Sequence, residues 1–297
     1  MPAIATLVVA TDFSAAANRA VLRAALIARQ QGAELHLLHV TAPLALYPGQ
    51  EVGPADSAAI PAALGEQLEA SARVLREHYG VHVRVSQRIG RAHSQIADYA
   101  VAAGADLVVV GARGESSLLR LLLGSTASRL LRVRKGPVLV VRGEPVEPYG
   151  RVLAAVDFFP HTGVVVDWAD RLARAGQLRV LHVLEPLDES GLRAKGLDSA
   201  AIQQRREEMR TIAENLMDNL CSGLPGEAET REVETCIEAG YPPARILGSA
   251  AAWRAELIVL GRQGRGGLEE FLLGSVSKDV TQAAECDVLV VGTGKTA

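Results

Sequence analysis

Two glycine-rich segments with the same spacing are the part of this chain best suited to chemistry. The first reads Gly111-Ala112-Arg113-Gly114 and is followed, after nine intervening residues, by Gly124-Ser125-Thr126. The second reads Gly261-Arg262-Gln263-Gly264 and is followed, after nine intervening residues, by Gly274-Ser275-Val276. Glycines tolerate positive φ and let backbone N–H groups approach an oxyanion, and a helix that begins at the serine adds its free N–H groups and its dipole. The repeated spacing therefore predicts a phosphate site in each half of the chain.

An aspartate that follows the first apolar run of each half supplies a different chemistry. Asp12 follows residues 4–10, and Asp157 follows residues 152–156. A carboxylate at this position can accept hydrogen bonds from a ribose hydroxyl or an adenine amine, and it repels phosphate. The pattern therefore predicts a nucleoside near the aspartate and phosphates over the glycines, with Arg113 placed to screen their charge. The residues leave open the alternatives that the aspartates only cap or brace turns and that Arg113 is an ordinary exposed loop arginine.

Strands and helices must alternate along the chain to place these residues at one edge of a sheet. In the first half we predict strands at 4–10, 34–40, 81–89, 107–110 and 138–141, helices at 15–30, 62–79, near 96–101 and from 125, and a long loop at 41–61. The second half repeats this order, with its third strand at 229–237. Such alternation is typical of a parallel sheet with helices on both faces, which binds ligands beyond the carboxyl ends of its strands. Alternating Val81, Val83 and Val85 indicate that the third strand lies at an edge.

A Pro/Gly-rich segment separates the two similar halves. It gives a first domain at 1–143, a linker at 144–150 and a second domain at 151–297. The predicted fold class is α/β, with two tandem, open-twisted, five-stranded parallel-sheet domains in a Rossmann-like three-layer α/β/α arrangement.

Composition argues against several other classes of protein. The chain of 297 residues has a formal net charge of -3 and a pI near 6.2, without the dominant positive field of a nucleic-acid or membrane-surface binder. Its three cysteines lack CxxC spacing, and no apolar run reaches the roughly 20 residues of a membrane span. We therefore expect no nucleic-acid or membrane partner and a cytoplasmic location. His39 and His182 recur between the halves with no nucleophile placed beside them by motif, which favours packed strand histidines.

These motifs together resemble the universal stress protein family in its tandem, two-domain form. The resemblance rests on Asp after the first strand, Leu-His-Val at the end of the second, and GxxG, nine residues and Gly-Ser at the last strand-to-helix crossing. It implies an adenine nucleotide alpha hydrolase-like fold that binds ATP, with Mg²⁺ or Mn²⁺ able to arrive on the phosphates. It also implies that the fifth strands, 138–141 and 288–291, pair within the chain, as they do across the dimer interface of such domains; a homodimer of the whole chain is a further expectation. The ATP-binding residues it implies are Asp12, Val40, Gly111, Arg113, Gly114, Gly124, Ser125 and Thr126, and then Asp157, Val183, Gly261, Gly264, Gly274, Ser275, Val276 and Ser277.

The two halves depart from the family pattern at different places. The first has Ala127 where the family often has a hydroxyl, which the second keeps as Ser277. The second has Phe158-Phe159 after its aspartate, and these rings are bulky enough to fill or reshape an adenosine pocket. We therefore expect an ATP-binding stress-response regulator with two unequal sites. The alternatives are a slow metal-dependent ATPase and a scaffold in which one or both pockets are degenerate.

Overall fold

The computed structural model describes residues 4–42, 54–112, 123–159, 162–173, 176–222, 233–262 and 273–292, with backbone alone for 54–61. The strands are β1 (Thr6–Thr11), β2 (Glu34–Thr41), β3 (Val83–Ile89), β4 (Leu107–Gly111), β5 (Val138–Val141), β6 (Arg151–Val156), β7 (Gln177–Leu184), β8 (Val233–Ala239), β9 (Leu257–Gly261) and β10 (Asp287–Val291). The helices are α1 (Ala15–Gln31), α2 (Pro54–Tyr79), α3 (Ala92–Ala102), α4 (Ser125–Val133), α5 (Thr162–Leu172), α6 (Glu189–Ala194), α7 (Ser199–Cys221), α8 (Pro242–Trp253) and α9 (Ser275–Ala283).

All ten strands form one sheet made of two parallel halves. Their order is β3-β2-β1-β4-β5-β10-β9-β6-β7-β8, so the halves meet at β5 and β10. Every pairing within a half is parallel, whereas β5 and β10 pair antiparallel in the register Leu139 to Leu289. The expected fold class is confirmed, and the expected pairing of the fifth strands is present. Because the strands of the two halves run in opposite directions, the carboxyl ends of the strands of the first half lie at one side of the sheet and those of the second half at the opposite side. We call the side at which the strands of a half end the carboxyl edge of that half.

The central strands are apolar on both faces because helices cover both faces. All of β5 and the first four residues of β4 are buried, and buried side chains form one cluster on each side of the sheet. Leu139 packs with α1 on one face, and Val140 packs with α4 on the other. Continuous apolar runs of this kind are typical of strands in covered parallel sheets. Among the helices of the described ranges, none is both long and apolar enough to cross a bilayer.

The outermost strands, β3 and β8, close the sheet at its two ends. Val83 is buried while Arg84, Arg88 and Ile89 are exposed, and most of β8 is exposed or half-buried. The alternation seen in the sequence therefore predicted the edge position of β3 correctly.

The start of α2 was predicted wrongly. The helix begins at Pro54, inside the segment expected to be a loop, and it includes Pro61. A proline is well tolerated in a first helical turn, as at Pro54, and the alanines that follow favour a helix strongly enough to carry it past Pro61. Residues 43–53 of the expected loop, and the first residues expected for the third strand of the second half, 229–232, lie outside the described part of the chain.

A buried carboxylate, Asp287 at the start of β10, ties the two halves together beside their strand pairing. Its Oδ1 accepts hydrogen bonds from the backbone N–H groups of Arg142 (2.7 Å) and Gly143 (3.0 Å). Its Oδ2 accepts from the Tyr149 hydroxyl (2.7 Å) and from Arg23 Nε of α1 (3.2 Å). Burial, the larger cause, and the negative charge of the adjacent Asp287 raise the pKa of Tyr149 well above its usual range. The phenol therefore stays protonated and donates its hydrogen bond. The segment between β5 and β6 is therefore held against the second half.

Replacing Asp287 with alanine should destabilise the whole chain. The change leaves the buried Arg23 guanidinium and two backbone donors without their acceptor, and the expected loss is about 3–5 kcal/mol of unfolding free energy. Urea denaturation followed by circular dichroism measures it. The exposed neighbour Glu285 provides the control, because Glu285→Ala should change stability by no more than about 0.5 kcal/mol. Equal stability of the two variants would contradict the role given to Asp287.

Candidate functional site

The carboxyl edge of the first half brings together several of the residues singled out in the sequence. Asp12 follows β1, Val40 lies near the end of β2, Gly111 ends β4 and Ser125 begins α4. The second half repeats this arrangement with Asp157, Val183, Gly261 and Ser275. Three of the predicted residues, Arg113, Gly114 and Gly264, lie outside the described part of the chain.

The first aspartate, Asp12, is exposed and shapes the turn between β1 and α1. Its Oδ1 accepts a hydrogen bond from the Ser14 backbone N–H (3.1 Å), and the Ser14 hydroxyl caps α1 by accepting from Ala17 N–H (3.2 Å). Turn bracing, the alternative that the sequence left open, is therefore present. A carboxylate has about four acceptor positions, so one such bond does not prevent a ligand contact.

The second aspartate, Asp157, is hydrogen-bonded to its own turn and to the start of α5. Its Oδ1 accepts from the Phe159 backbone N–H and from the Thr162 hydroxyl, both at 3.1 Å. Phe159 stands where the first half has Ser14, so the serine that caps α1 has no counterpart here. The buried Thr162 hydroxyl anchors the start of α5 to the aspartate instead.

A phenylalanine that follows each aspartate stacks on the histidine of the neighbouring strand. Phe13 and Phe158 both have positive φ, 63° and 59°, and their rings lie 5.1 Å from His39 and 4.3 Å from His182. Each histidine Nδ1 lies 2.8 Å from a backbone carbonyl oxygen at the end of the first strand of its half, so Nδ1 carries the proton. The prediction of packed strand histidines is confirmed.

This stacking shows which of the two phenylalanines of the second half is specific to that half. Phe158 has a positive φ and a histidine contact like those of Phe13, so it does not distinguish the two halves, whereas Phe159 does. Sequence reasoning missed Phe13 as part of the site. The repeated Asp-Phe pair, Asp12-Phe13 and Asp157-Phe158, was the signal that could have found it.

None of the described glycines of the two motifs has the positive φ that was expected, and Gly111, Gly124 and Gly274 act through close packing and backbone hydrogen bonds. A Cβ on Gly111 would lie 2.8 Å from the carbonyl oxygen of Ala16 in α1, so glycine is needed for the approach of helix to strand. Gly124 and Gly274 have φ of -60° and -57°. Their N–H groups donate to the carbonyls of Ala112 (2.8 Å) and Arg262 (2.9 Å), which joins the start of each helix to the residue that follows the fourth strand of its half.

The helices α4 and α9 begin without a side-chain cap. Gly124 and Gly274 are the N-cap residues, and neither can supply a capping side chain. Ser125 and Ser275 are exposed, whereas Thr126 and Val276 are half-buried. The first-turn N–H groups of a helix have no partner within the helix. At both edges they therefore form a place where an anion is favoured.

The hydroxyl at Ser277 has a structural partner. Ser277 is buried, and its Oγ donates to the carbonyl oxygen of Gly261 at the end of β9 (2.6 Å). The proton of this hydroxyl is therefore used within the protein, and Ser277 acts on the site by fixing α9 against β9. Ala127, its counterpart in α4, is buried without a hydroxyl.

Sequence reasoning also missed Gly90 and Gly240, which follow the outer strands β3 and β8. They have φ of 146° and 143°, in a region that side-chain-bearing residues rarely adopt. Their N–H groups donate to the carbonyls of Thr41 and Leu184, both at 2.9 Å. The glycines thus connect the ends of the two outer strands of each half at the edge where the site lies. Their recurrence before each following helix was the available signal.

The far ends of α4 and α9 are capped by arginines from the opposite half. The guanidinium of Arg262 donates to the carbonyl oxygens of Arg132 and Arg134 at the end of α4. Arg142 donates through Nη2 to the carbonyl oxygens of Thr281 (2.5 Å) and Gln282 (3.3 Å) at the end of α9. Burial lowers the pKa of Arg262, a residue whose guanidinium normally titrates far above neutral pH. Cationic groups are favoured at helix C-termini, where carbonyls lack helical partners.

Substituting Gly111 with alanine should destabilise the chain. The added Cβ would clash with backbone atoms of Ala16, which cannot move away as a flexible side chain can. We expect a loss of about 1–3 kcal/mol, measured by urea denaturation. As a matched control, Gly248→Ala places its Cβ in open space on the exposed face of α8 and should stabilise by up to about 1 kcal/mol. An unchanged Gly111→Ala protein would show that the close approach is not required.

Comparisons with known proteins agree with the repeated architecture. A family model described as the universal stress protein family matches residues 4–142 and, again, residues 148–292. A relative named universal stress protein, from Mycolicibacterium smegmatis, is 31% identical over 297 residues and covers 96% of both chains. The crystal structure of a universal stress protein from Archaeoglobus fulgidus DSM 4304 superposes with a TM-score of 0.70 at 22% identity, covering 97% of this chain and 98% of that one. A putative universal stress protein from Pseudomonas aeruginosa UCBPP-PA14 gives 0.63 at 24% identity, covering 97% and 93%.

Proposed function

Since this chain belongs to the universal stress protein family, we propose that it binds ATP at the carboxyl edge of each half. We further propose that it acts through its nucleotide-bound state, as a regulator, and not through rapid turnover.

The observation that carries this proposal is the uncapped N-terminus of α4 and its repeat at α9. Each helix starts with an exposed serine behind a glycine N-cap and is the first described helix after the fourth strand of its half. An anion at a helix N-terminus gains about 0.3–2 kcal/mol from the dipole alone. The serine hydroxyl and the first-turn N–H groups add hydrogen bonds, each worth about 1.5–3 kcal/mol when the acceptor is charged. These terms favour the phosphate end of a nucleotide.

The aspartate turn at the same edge supports an orientation for the nucleotide. Asp12 and Asp157 follow the first strand of each half, next to Val40 and Val183 on the second strand. A carboxylate repels phosphate and accepts hydrogen bonds from ribose hydroxyls or the adenine amine. We therefore propose that adenosine lies toward the aspartate and the valine, with the phosphates toward Ser125 or Ser275.

A divalent cation would be carried mainly by the phosphates. Mg²⁺ is commonly held by substrate phosphates and water with only one or two protein carboxylates. The described ranges contain no group of three or more His, Cys, Asp and Glu side chains suited to a metal ion. The proposal accordingly assigns Mg²⁺ or Mn²⁺ to ATP and not to a separate protein site.

Regulation by a nucleotide requires that ATP bind one conformation better than another. The elements whose placement ATP would bias are α4 and α9, because their N-termini face the sites and their C-termini contact the opposite half. A change in either helix therefore reaches the junction of the halves.

Proline at the first residue of either helix should remove one ATP site and leave the fold intact. Ser125→Pro and Ser275→Pro each delete a backbone donor and a hydroxyl. Proline is favoured at this helical position, and the preceding glycines already have the extended ψ, 153° and 152°, that proline requires. We expect at least a hundredfold weaker ATP binding at the altered site. Isothermal titration should therefore show two ATP per chain for the parent protein and one for each variant.

The first residue of α7 provides a matched control at the start of a helix that already has a side-chain cap, because Asp198 accepts a hydrogen bond from Ala201 N–H (2.8 Å). Ser199 is exposed and follows Asp198, whose ψ is 175°, so Ser199→Pro should fold normally and retain two ATP. Failure of the parent protein to bind ATP would refute the proposal. Unchanged stoichiometry in folded Ser125→Pro and Ser275→Pro proteins would show that the site lies elsewhere.

A further inference from the structure

Two arginines exchanged between the halves connect the far end of each site helix to the opposite site. Arg262 directly follows β9, at the carboxyl edge of the second half, and its guanidinium binds the C-terminal carbonyls of α4. Arg142 directly follows β5, at the carboxyl edge of the first half, and binds the C-terminal carbonyls of α9. Each site helix therefore spans the sheet from its own site to the edge that carries the other.

The backbone of Arg262 connects β10 to the start of α9. Its N–H donates to the carbonyl of Val291 (2.8 Å), and its carbonyl accepts from Gly274 N–H (2.9 Å). Gly274 is the N-cap of α9. One residue thus joins the start of α9, through its backbone, to the end of α4, through its side chain.

Neither arginine recurs at the matching position of the other half. Ala112 occupies the position of Arg262, and Gly292 occupies the position of Arg142. A Cβ on Gly292 would collide with the carbonyl oxygen of Lys135, just beyond α4, so no side chain fits there. The contact from the first half to α9 therefore depends on Arg142, and the contact from the second half to α4 depends on Arg262.

We propose that Arg142 and Arg262 are positioning residues that couple the two nucleotide sites, so that ATP bound at one site raises the affinity of the other. This inference rests on the proposed function, since it concerns the same two sites.

The sign of the coupling follows from the order of the contacts. A phosphate at the N-terminus of α4 fixes the helix, and with it the C-terminal carbonyls that accept hydrogen bonds from Arg262. A fixed Arg262 in turn holds Gly274, the N-cap residue of α9, through the Gly274 N–H. Binding of the second nucleotide then costs less conformational entropy, which gives positive cooperativity. Linkage requires the effect to be equal in both directions.

The coupling can be measured by titrating ATP into the full chain. The Ser125→Pro and Ser275→Pro proteins give the affinity of each site alone. The product of the two binding constants of the parent protein should exceed the product of these single-site constants by at least about fivefold, the lower end of typical coupling. Arg262→Met and Arg142→Met keep a long side chain but remove the donors, and each should reduce this ratio toward one. Arg262→Lys, which retains a cationic donor, should recover part of it.

Leu68→Ala separates coupling from general destabilisation. Leu68 is a fully buried side chain of α2, in the cluster on the face of the sheet that α1 covers, whereas α4 and α9 pack on the other face. Leu68→Ala should lower the melting temperature and leave the ratio unchanged. If Arg262→Met fails to fold, Arg142→Met tests the same claim from the other side. Three outcomes would overturn the inference while leaving ATP binding itself established. They are a ratio of one in the parent protein, ATP binding at one site alone, and an unaltered ratio in a folded methionine variant. Absence of ATP binding would overturn both proposals.

Discussion

The antiparallel pairing of β5 with β10 is the contact on which the rest of this structure depends. Both strands are buried along their length, and their pairing removes the two sheet edges that separate halves would expose. It also fixes the halves in opposite directions, which places the two aspartate turns and the two site helices at opposite edges of one sheet. The buried Asp287, which begins β10, accepts hydrogen bonds from both the strand connection and α1 and so holds this geometry.

The duplicated architecture carries two candidate sites that differ in how their parts are held. The first half caps α1 with Ser14 and leaves Ala127 in α4 without a hydroxyl. The second half binds Asp157 to the Thr162 hydroxyl and fixes α9 to β9 through Ser277. The backbone is thus repeated while the side chains that brace it are not. A family fold can retain its binding edge and still diverge in the residues that set affinity at each copy.

Local patterns in the sequence were sufficient to predict the order of the elements except for the short helix α6, which lies where the repeated order predicted a loop. Continuous apolar runs identified the buried strands, the alternation at Val81 to Val85 identified an edge strand, and the repeated motifs indicated two similar halves. The start of α2 was missed because residues 41–61, rich in Pro, Gly, Ala and Ser and without a sustained period, were interpreted as a loop. The bracing contacts whose partners are distant in sequence could not be predicted. Gly111 faces Ala16 across the layer between helix and sheet, and Arg262 reaches the end of α4 in the other half. Such contacts depend on how layers stack and which edge each half presents, and periodicity encodes neither.

The central claim is that an adenine nucleotide binds across the carboxyl edge, with its phosphates at the start of the site helix. A crystal structure of the full chain with a non-hydrolysable ATP analogue tests it most directly. The account predicts phosphate oxygens within hydrogen-bond distance of the first-turn N–H groups at Ser125 in α4, and adenosine toward Asp12. Analogue density away from both helix N-termini, or its absence at both edges in crystals saturated with the analogue, would contradict it.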